Sequence, residues 1–113
     1  MKKTLISLTA FILLASTHAL ANPKGKQLFQ TYCATCHGQA GLGDGPAAAS
    51  LPEDKKPRNL TNPKTYKNGP DVASIMKTLE TGIPGTLMVS WKAAIPKEAD
   101  RKAIAEYVKS LQK

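Results

Sequence analysis

Two cysteines and a histidine lie close together in the order Cys33, Cys36, His37. On a helix, positions i, i+3 and i+4 share one face, so both thiols and the imidazole would point the same way. This C-x-x-C-H spacing is typical of covalent haem attachment, in which each thiol forms a thioether with the porphyrin and the imidazole ligates the iron. The motif therefore predicts one haem c, held by Cys33 and Cys36, with His37 as an axial iron ligand.

Three other kinds of site use similar residues. A structural zinc site needs four ligands, whereas the chain after its first 21 residues has two cysteines and one histidine. A thioredoxin-type dithiol accompanies a βαβ pattern, and the sequence shows no convincing alternating strand. A disulfide between Cys33 and Cys36 would close a very short loop and would contribute little stability. Covalent haem attachment is the interpretation that the spacing favours.

The first 21 residues have the features of a secretory signal peptide. Two lysines precede an apolar run over residues 5–15, and the small-x-small sequence Ala19-Leu20-Ala21 follows; this is the usual order of such leaders. The run is shorter than the roughly 20 residues that a membrane-spanning helix needs, although an uncleaved N-terminal anchor is the alternative. We expect cleavage after Ala21, which leaves residues 22–113 as a soluble, periplasmic domain without stable membrane insertion.

Loss of the leader limits the candidates for the second axial ligand of the iron. His18 is removed, so His37 is the remaining histidine, and the candidates are Met76, Met88, a lysine or no protein ligand. Met76 belongs to an apolar stripe at helical spacing, which is the pattern of a core residue. Met88 lies in a loop that no such stripe explains, and loops commonly carry functional side chains. Met88 is therefore the preferred ligand.

Three helices are predicted to position these residues. The first has Asn22 as its N-cap and Pro23 at its first position, and it runs into Cys33. The second begins at Asp71, repeats apolar residues with a helical period and ends at Gly82. The last begins at Pro96, and residues 38–63 form a long loop with a helical turn near residues 46–51. The predicted fold class is all-α.

With these features the chain resembles the class I c-type cytochromes, the small bacterial monohaem type. The resemblance covers residues 22–113 and rests, besides the haem motif, on short sequences along the chain: Gly25 and Phe29, Gly45-Pro46-Ala47, Gly85-Thr86-Leu87-Met88, and Tyr107. It implies the class I cytochrome c fold, in which the N- and C-terminal helices cross at Gly25 and Tyr107 and loops wrap one haem.

The same resemblance implies roles for two loop residues. Met88 would be the distal iron ligand. The carbonyl of Pro46 would accept a hydrogen bond from Nδ1 of His37 and so hold the imidazole in one orientation. Val89 follows Met88 where the family often has proline, which leaves the rigidity of the loop unexplained.

Two further residues are candidates for contacts with the haem propionates. Arg58 has a guanidinium that would pair bidentately with a carboxylate. Trp91 has an indole N–H that would donate to one. The alternatives are a solvated surface arginine and a tryptophan that only packs against the haem.

The ligand set predicts the function. A histidine–methionine pair raises the reduction potential of a haem and leaves no iron position open, so we expect a one-electron carrier between respiratory or periplasmic proteins, and not an enzyme. The alternative is a haem enzyme or gas sensor with an open or displaceable distal position.

Charge suggests what the partners of such a carrier look like. The chain has 16 Lys and Arg residues against 8 Asp and Glu. We expect an oxidase or reductase with an acidic face to dock on a basic surface that includes Lys55, Lys56, Lys67 and Lys92; an evenly solvated surface is the alternative. A monomer is expected, and nucleic acid is not an expected partner of an exported protein.

Overall fold

A computed structural model describes residues 22–113. The predicted signal peptide and its cleavage site fall in residues 1–21, outside the described part of the chain. Within residues 22–113 the regular elements are all helical, which confirms the predicted fold class. They are α1 (Pro23–Tyr32), α2 (Ala34–His37), α3 (Val72–Thr81) and α4 (Glu98–Ser110), with 3₁₀ turns at Pro46–Ser50, Glu53–Lys55 and Pro63–Thr65.

The ends of the helices follow from local hydrogen bonding. The Asn22 side chain accepts from two N–H groups in the first turn of α1, and the Asp71 side chain accepts from the Ser74 N–H at the start of α3. Gly82 has a φ of 67°, a conformation that glycine adopts without strain, and it ends α3 as predicted. The 3₁₀ turn at Pro46–Ser50 likewise confirms the helical turn expected there.

The start of the last helix differs from the prediction. It begins at Glu98 and not at Pro96, because Lys97 is extended, with φ −73° and ψ 121°. The carbonyls of Ile95 and Pro96 both accept hydrogen bonds from the Arg101 guanidinium. The chain therefore enters α4 two residues later than the proline suggests.

The core lies where α1 and α3 pack against α4. Phe29 and Ile104 are fully buried at its centre, and the Phe29 and Tyr107 rings lie 5.3 Å apart. A Cβ added to Gly25 would lie 2.0 Å from the carbonyl oxygen of Ala103. Only a glycine permits the backbones of α1 and α4 to approach this closely, so the predicted contact between the terminal helices is confirmed.

Candidate haem site

The junction between α1 and α2 positions the two thiols and the imidazole. Cys33 ends α1, and its N–H donates to the Phe29 carbonyl at 2.8 Å. The N–H groups of Cys36 and His37 both donate to the Cys33 carbonyl, at 3.2 and 2.8 Å. This single helical turn brings all three side chains to the wall of one cavity, as their spacing predicts.

Apolar side chains form most of the remaining wall of this cavity. They come from the buried faces of the three longer helices and from the loop before α3: Phe29, Leu60, Ile75, Leu79, Ile104 and Val108. Such a wall excludes water and suits a large flat apolar group. The helical stripes were predictable from periodicity, whereas the position of Leu60 in the long loop was not.

The imidazole of His37 is largely buried in the wall of this cavity. Burial lowers the pKa of this imidazole, and the nearby backbone of Arg58 opposes that shift. A backbone carbonyl near the ring stabilises the protonated, donating form of a histidine. The Nδ1 atom is buried and makes no hydrogen bond within residues 22–113.

The expected hydrogen bond from Nδ1 of His37 to the Pro46 carbonyl stays a prediction. Pro46 begins a 3₁₀ turn and lines a different, outer hollow together with Ala34 and Thr35. The preceding Gly45 causes this placement, because its N–H donates to the Cys36 carbonyl and a Cβ there would lie 2.3 Å from the Thr35 carbonyl oxygen. The chain is thus held against the outside of α2.

A closed loop carries Met88 to the same cavity. The Ile83 N–H donates to the Met88 carbonyl at 2.8 Å, and the Met88 N–H donates to the Thr86 hydroxyl at 3.1 Å. That hydroxyl in turn donates to the Ile83 carbonyl at 2.7 Å. These bonds hold the loop without a proline after the methionine, which explains how Val89 is tolerated there.

The two methionines of the described chain differ in what they face. Met88 lines the cavity together with the cysteines and His37. Met76 packs against the hydrophobic core, and it is absent from the cavity wall, to which α3 contributes Ile75, Thr78 and Leu79. The stripe in α3 therefore behaves as the core face that its periodicity indicates.

Arg58 and Trp91 also line the cavity. Arg58 is exposed, and its Nη1 donates to the Thr65 carbonyl at 2.9 Å, which limits the movement of the guanidinium. The Trp91 ring lies 6.0 Å from that of Tyr32 in an edge-to-face arrangement. Tyr66 is a residue of the wall that sequence reasoning missed; its hydroxyl donates to the Leu60 carbonyl at 2.6 Å.

Two of the four lysines expected to form a basic surface are paired with carboxylates of the same chain. Lys56 is 2.7 Å from the carboxylate of Glu53, and Lys55 is 3.6 Å from that of Asp54. Both pairs lie within or beside one 3₁₀ turn at the rim of the cavity. Lys67 also lines the cavity, whereas Lys92 does not. The basic charge near the cavity is therefore partly neutralised within the chain.

The donor set of the cavity fits a covalently held haem. Two free thiols can form thioethers, and an imidazole with one buried, unpaired nitrogen stands beside them. Met88, which carries a thioether sulfur, lines the same cavity, and most of the wall is apolar. The histidine, the methionine and the cysteines are the protein groups that c-type haem uses.

Comparisons with known proteins agree with this site. The family model described as Cytochrome c matches residues 23–112. A cbb3-type cytochrome c oxidase subunit FixP of Bradyrhizobium diazoefficiens is 33% identical over 88 residues, which cover 78% of this chain and 27% of that protein. The chain thus spans about a quarter of the length of this curated relative.

A solved structure shows the same fold. A chain of the reducing HAO-like protein complex of Kuenenia stuttgartiensis superposes with a TM-score of 0.64 at 32% identity, over 80% of this chain and 42% of that one. Among the helices of residues 22–113, none has the length and apolar character that crossing a membrane requires. The chain belongs to the cytochrome c family, and membership of this family implies covalently attached haem c.

Proposed function

We propose that Cys33 and Cys36 hold one haem c, that His37 and Met88 are the two axial ligands of its iron, and that the protein is a one-electron carrier. The observation that supports this ligand set is the shared cavity, which has His37 and Met88 in its wall and leaves Met76 in the core packing. When bound, the haem supplies a reversible one-electron change at iron.

The residues around the cavity have distinct roles in this proposal. The apolar wall keeps water from the iron, and a backbone carbonyl, that of Pro46 or of Arg58, orients the imidazole through Nδ1 of His37. The Arg58 guanidinium and the Trp91 indole face the propionates. With an axial ligand on each side of the iron, no position is left for a substrate, so the protein transfers electrons and is not an enzyme.

The proposal extends to the setting in which the carrier works. Residues 1–21 are a cleaved signal peptide, and the domain acts as a periplasmic monomer that meets its redox partners transiently. The similarity to an oxidase subunit supports an oxidase or a reductase as the partner. Lys67 and Lys92, which have no acidic partner among the ion pairs of the described chain, favour a docking face that is acidic.

A pair of matched substitutions tests the ligand assignment. Replacing Met88 with leucine removes the thioether while nearly conserving volume, and we expect the ferric protein to lose the sulfur-to-iron charge-transfer band and its reduction potential to fall. Met76→Leu makes the same change in the core and should leave both unchanged. Absorption spectra and potentiometric titrations of the two holoproteins measure these effects.

The opposite pattern would overturn the proposal. A band that persists in Met88→Leu and disappears in Met76→Leu would assign the ligand to Met76. Rapid carbon monoxide binding by the reduced wild-type protein would show an open or displaceable distal position, as in a haem enzyme or gas sensor. Protein mass before and after denaturation tests the covalent attachment separately. The wild-type protein should keep the mass of the haem after unfolding, and the double variant Cys33→Ser, Cys36→Ser should lose it.

A further inference from the structure

Arg101 is a buried cation that the electron-transfer site does not explain. It lies in α4 with only 3% of its surface exposed. Its Nη1 atom donates to the carbonyls of Ile95 and Pro96, at 2.7 and 2.8 Å. Its Nη2 atom donates to a carboxylate oxygen of Glu80 at 3.2 Å. A buried charge is costly unless it is paired with acceptors in this way. The partners of the guanidinium therefore indicate the role of the residue.

These contacts reach both ends of the connection between α3 and α4, residues 82–97, which carries Met88. Glu80 lies just before the connection, in the last turn of α3, and Ile95 and Pro96 lie at its far end. One guanidinium therefore joins the point where this segment leaves α3 to the point where it enters α4.

Three hydrogen bonds hold the residues that directly follow the Met88 loop. The Ser90 hydroxyl donates to the Glu80 carbonyl. The Trp91 N–H donates to the Leu79 carbonyl at 2.8 Å, and the Ile95 N–H donates to the Trp91 carbonyl at 2.8 Å. Residues 90 and 91 are thus bonded to the end of α3, at residues 79 and 80, and to Ile95 at the end of the segment. These are the two ends that the Arg101 guanidinium joins.

We propose that Arg101 is a positioning residue that holds the Met88 segment in place and so keeps the methionine bound to the haem iron. The proposal rests on Met88 being an axial ligand. Arginine suits the role because its planar guanidinium presents several donors at fixed angles, whereas a lysine is a single point charge and cannot meet three acceptors in the same geometry.

Competition by imidazole measures how firmly the methionine is held. Added imidazole binds ferric iron only when Met88 has moved away, so its apparent affinity rises with the population of the open form. In the full holoprotein, we expect Arg101→Met to lower the apparent Kd for imidazole at least about tenfold, and Arg101→Lys to have a smaller effect in the same direction. Glu80→Gln, which keeps an acceptor but removes the charge, should lower it about threefold.

A control separates local opening from general loss of stability. Lys24 forms an ion pair with Asp100, the neighbour of Arg101 in α4, at 2.6 Å, and this pair ties α4 to α1 and not to the Met88 segment. Lys24→Met should lower the melting temperature yet leave the apparent Kd for imidazole within about twofold of wild type. If Arg101→Met does not yield folded protein, Arg101→Lys and Glu80→Gln decide the question.

Two results would overturn the proposal. In the first, the Arg101 and Glu80 variants bind imidazole no more tightly than Lys24→Met, although the wild-type charge-transfer band is present; the ligand assignment then survives and the role of Arg101 does not. In the second, the wild-type protein lacks the band, which overturns the Met88 assignment and the role of Arg101 together.

Discussion

Replacing Gly25 with alanine is a test of the contact that holds the fold together. Gly25 is buried in α1, and an added Cβ would lie 2.0 Å from the Ala103 carbonyl oxygen and 3.0 Å from the Tyr107 Cβ. The nearest obstacle is backbone of α4, which cannot rotate away as a side chain would. Because real Cβ contacts are essentially never shorter than 3.0 Å, the two backbones would have to separate by about 1 Å at this point.

Two opposing effects determine the size of the change. Alanine is the better helix former by about 1 kcal/mol. Forcing a methyl group into a packed core costs about 1–3 kcal/mol and sometimes more, and a backbone obstacle places this site at or above the upper limit. We expect a net destabilisation of about 2–3 kcal/mol, which lowers the melting temperature of a domain of this size by roughly 10–20 °C.

Thermal and guanidinium unfolding of the holoprotein, followed by far-ultraviolet circular dichroism, measure the effect. Lys26→Ala is the matched control, because Lys26 is an exposed residue of the same helix where alanine changes only helix propensity. It should unfold within a few degrees of wild type. A Gly25→Ala protein as stable as the control, or more stable than wild type, would refute the close approach of α1 and α4.

Two further predictions concern polar groups away from that contact. Tyr66→Phe removes the hydroxyl that donates to the Leu60 carbonyl at 2.6 Å; it should cost about 1 kcal/mol, seen as a lower urea midpoint at unchanged m-value. Hydrogen bonds from Ser74 lower the pKa of Asp71 below 3.8 in the folded protein, so this carboxylate stabilises the fold above about pH 4 and the contribution is lost as the pH falls through the lowered value. Asp71→Asn should therefore be less stable than wild type at pH 7, with the difference shrinking at pH 3; a difference that does not change with pH would contradict the assignment.

Local patterns predicted those parts of the molecule that local forces determine. The caps at Asn22 and Asp71 and the stop at Gly82 depend on hydrogen bonds and dihedral angles within a few residues, so the helix ends follow from the sequence. The spacing of Cys33, Cys36 and His37 needs only one helical turn to bring the side chains together. Their shared cavity wall was predictable for the same reason.

Contacts between distant segments were not predictable in this way. Pro46 and Arg58 both follow His37 in one irregular loop, and no periodicity indicates which of their carbonyls lies nearer to the imidazole. Arg101 lies on an amphipathic helix, where an arginine is usually solvated; its burial depends on carbonyls and a carboxylate that only the fold brings near it.

The close packing of α1 against α4 also determines the order in which the parts of the chain can become structured. Synthesis proceeds from the N terminus, so the haem motif is made about 60 residues before α4 begins. Helix α1 has 10 residues, and isolated helices shorter than about 12–15 residues are marginal in water. Gly25 and Phe29 have no α4 to pack against during this interval, and Cys33 has no completed core beside it. The Cys33 thiol is therefore more open to haem attachment before α4 docks than after it, whereas Cys36 stays exposed in the folded chain.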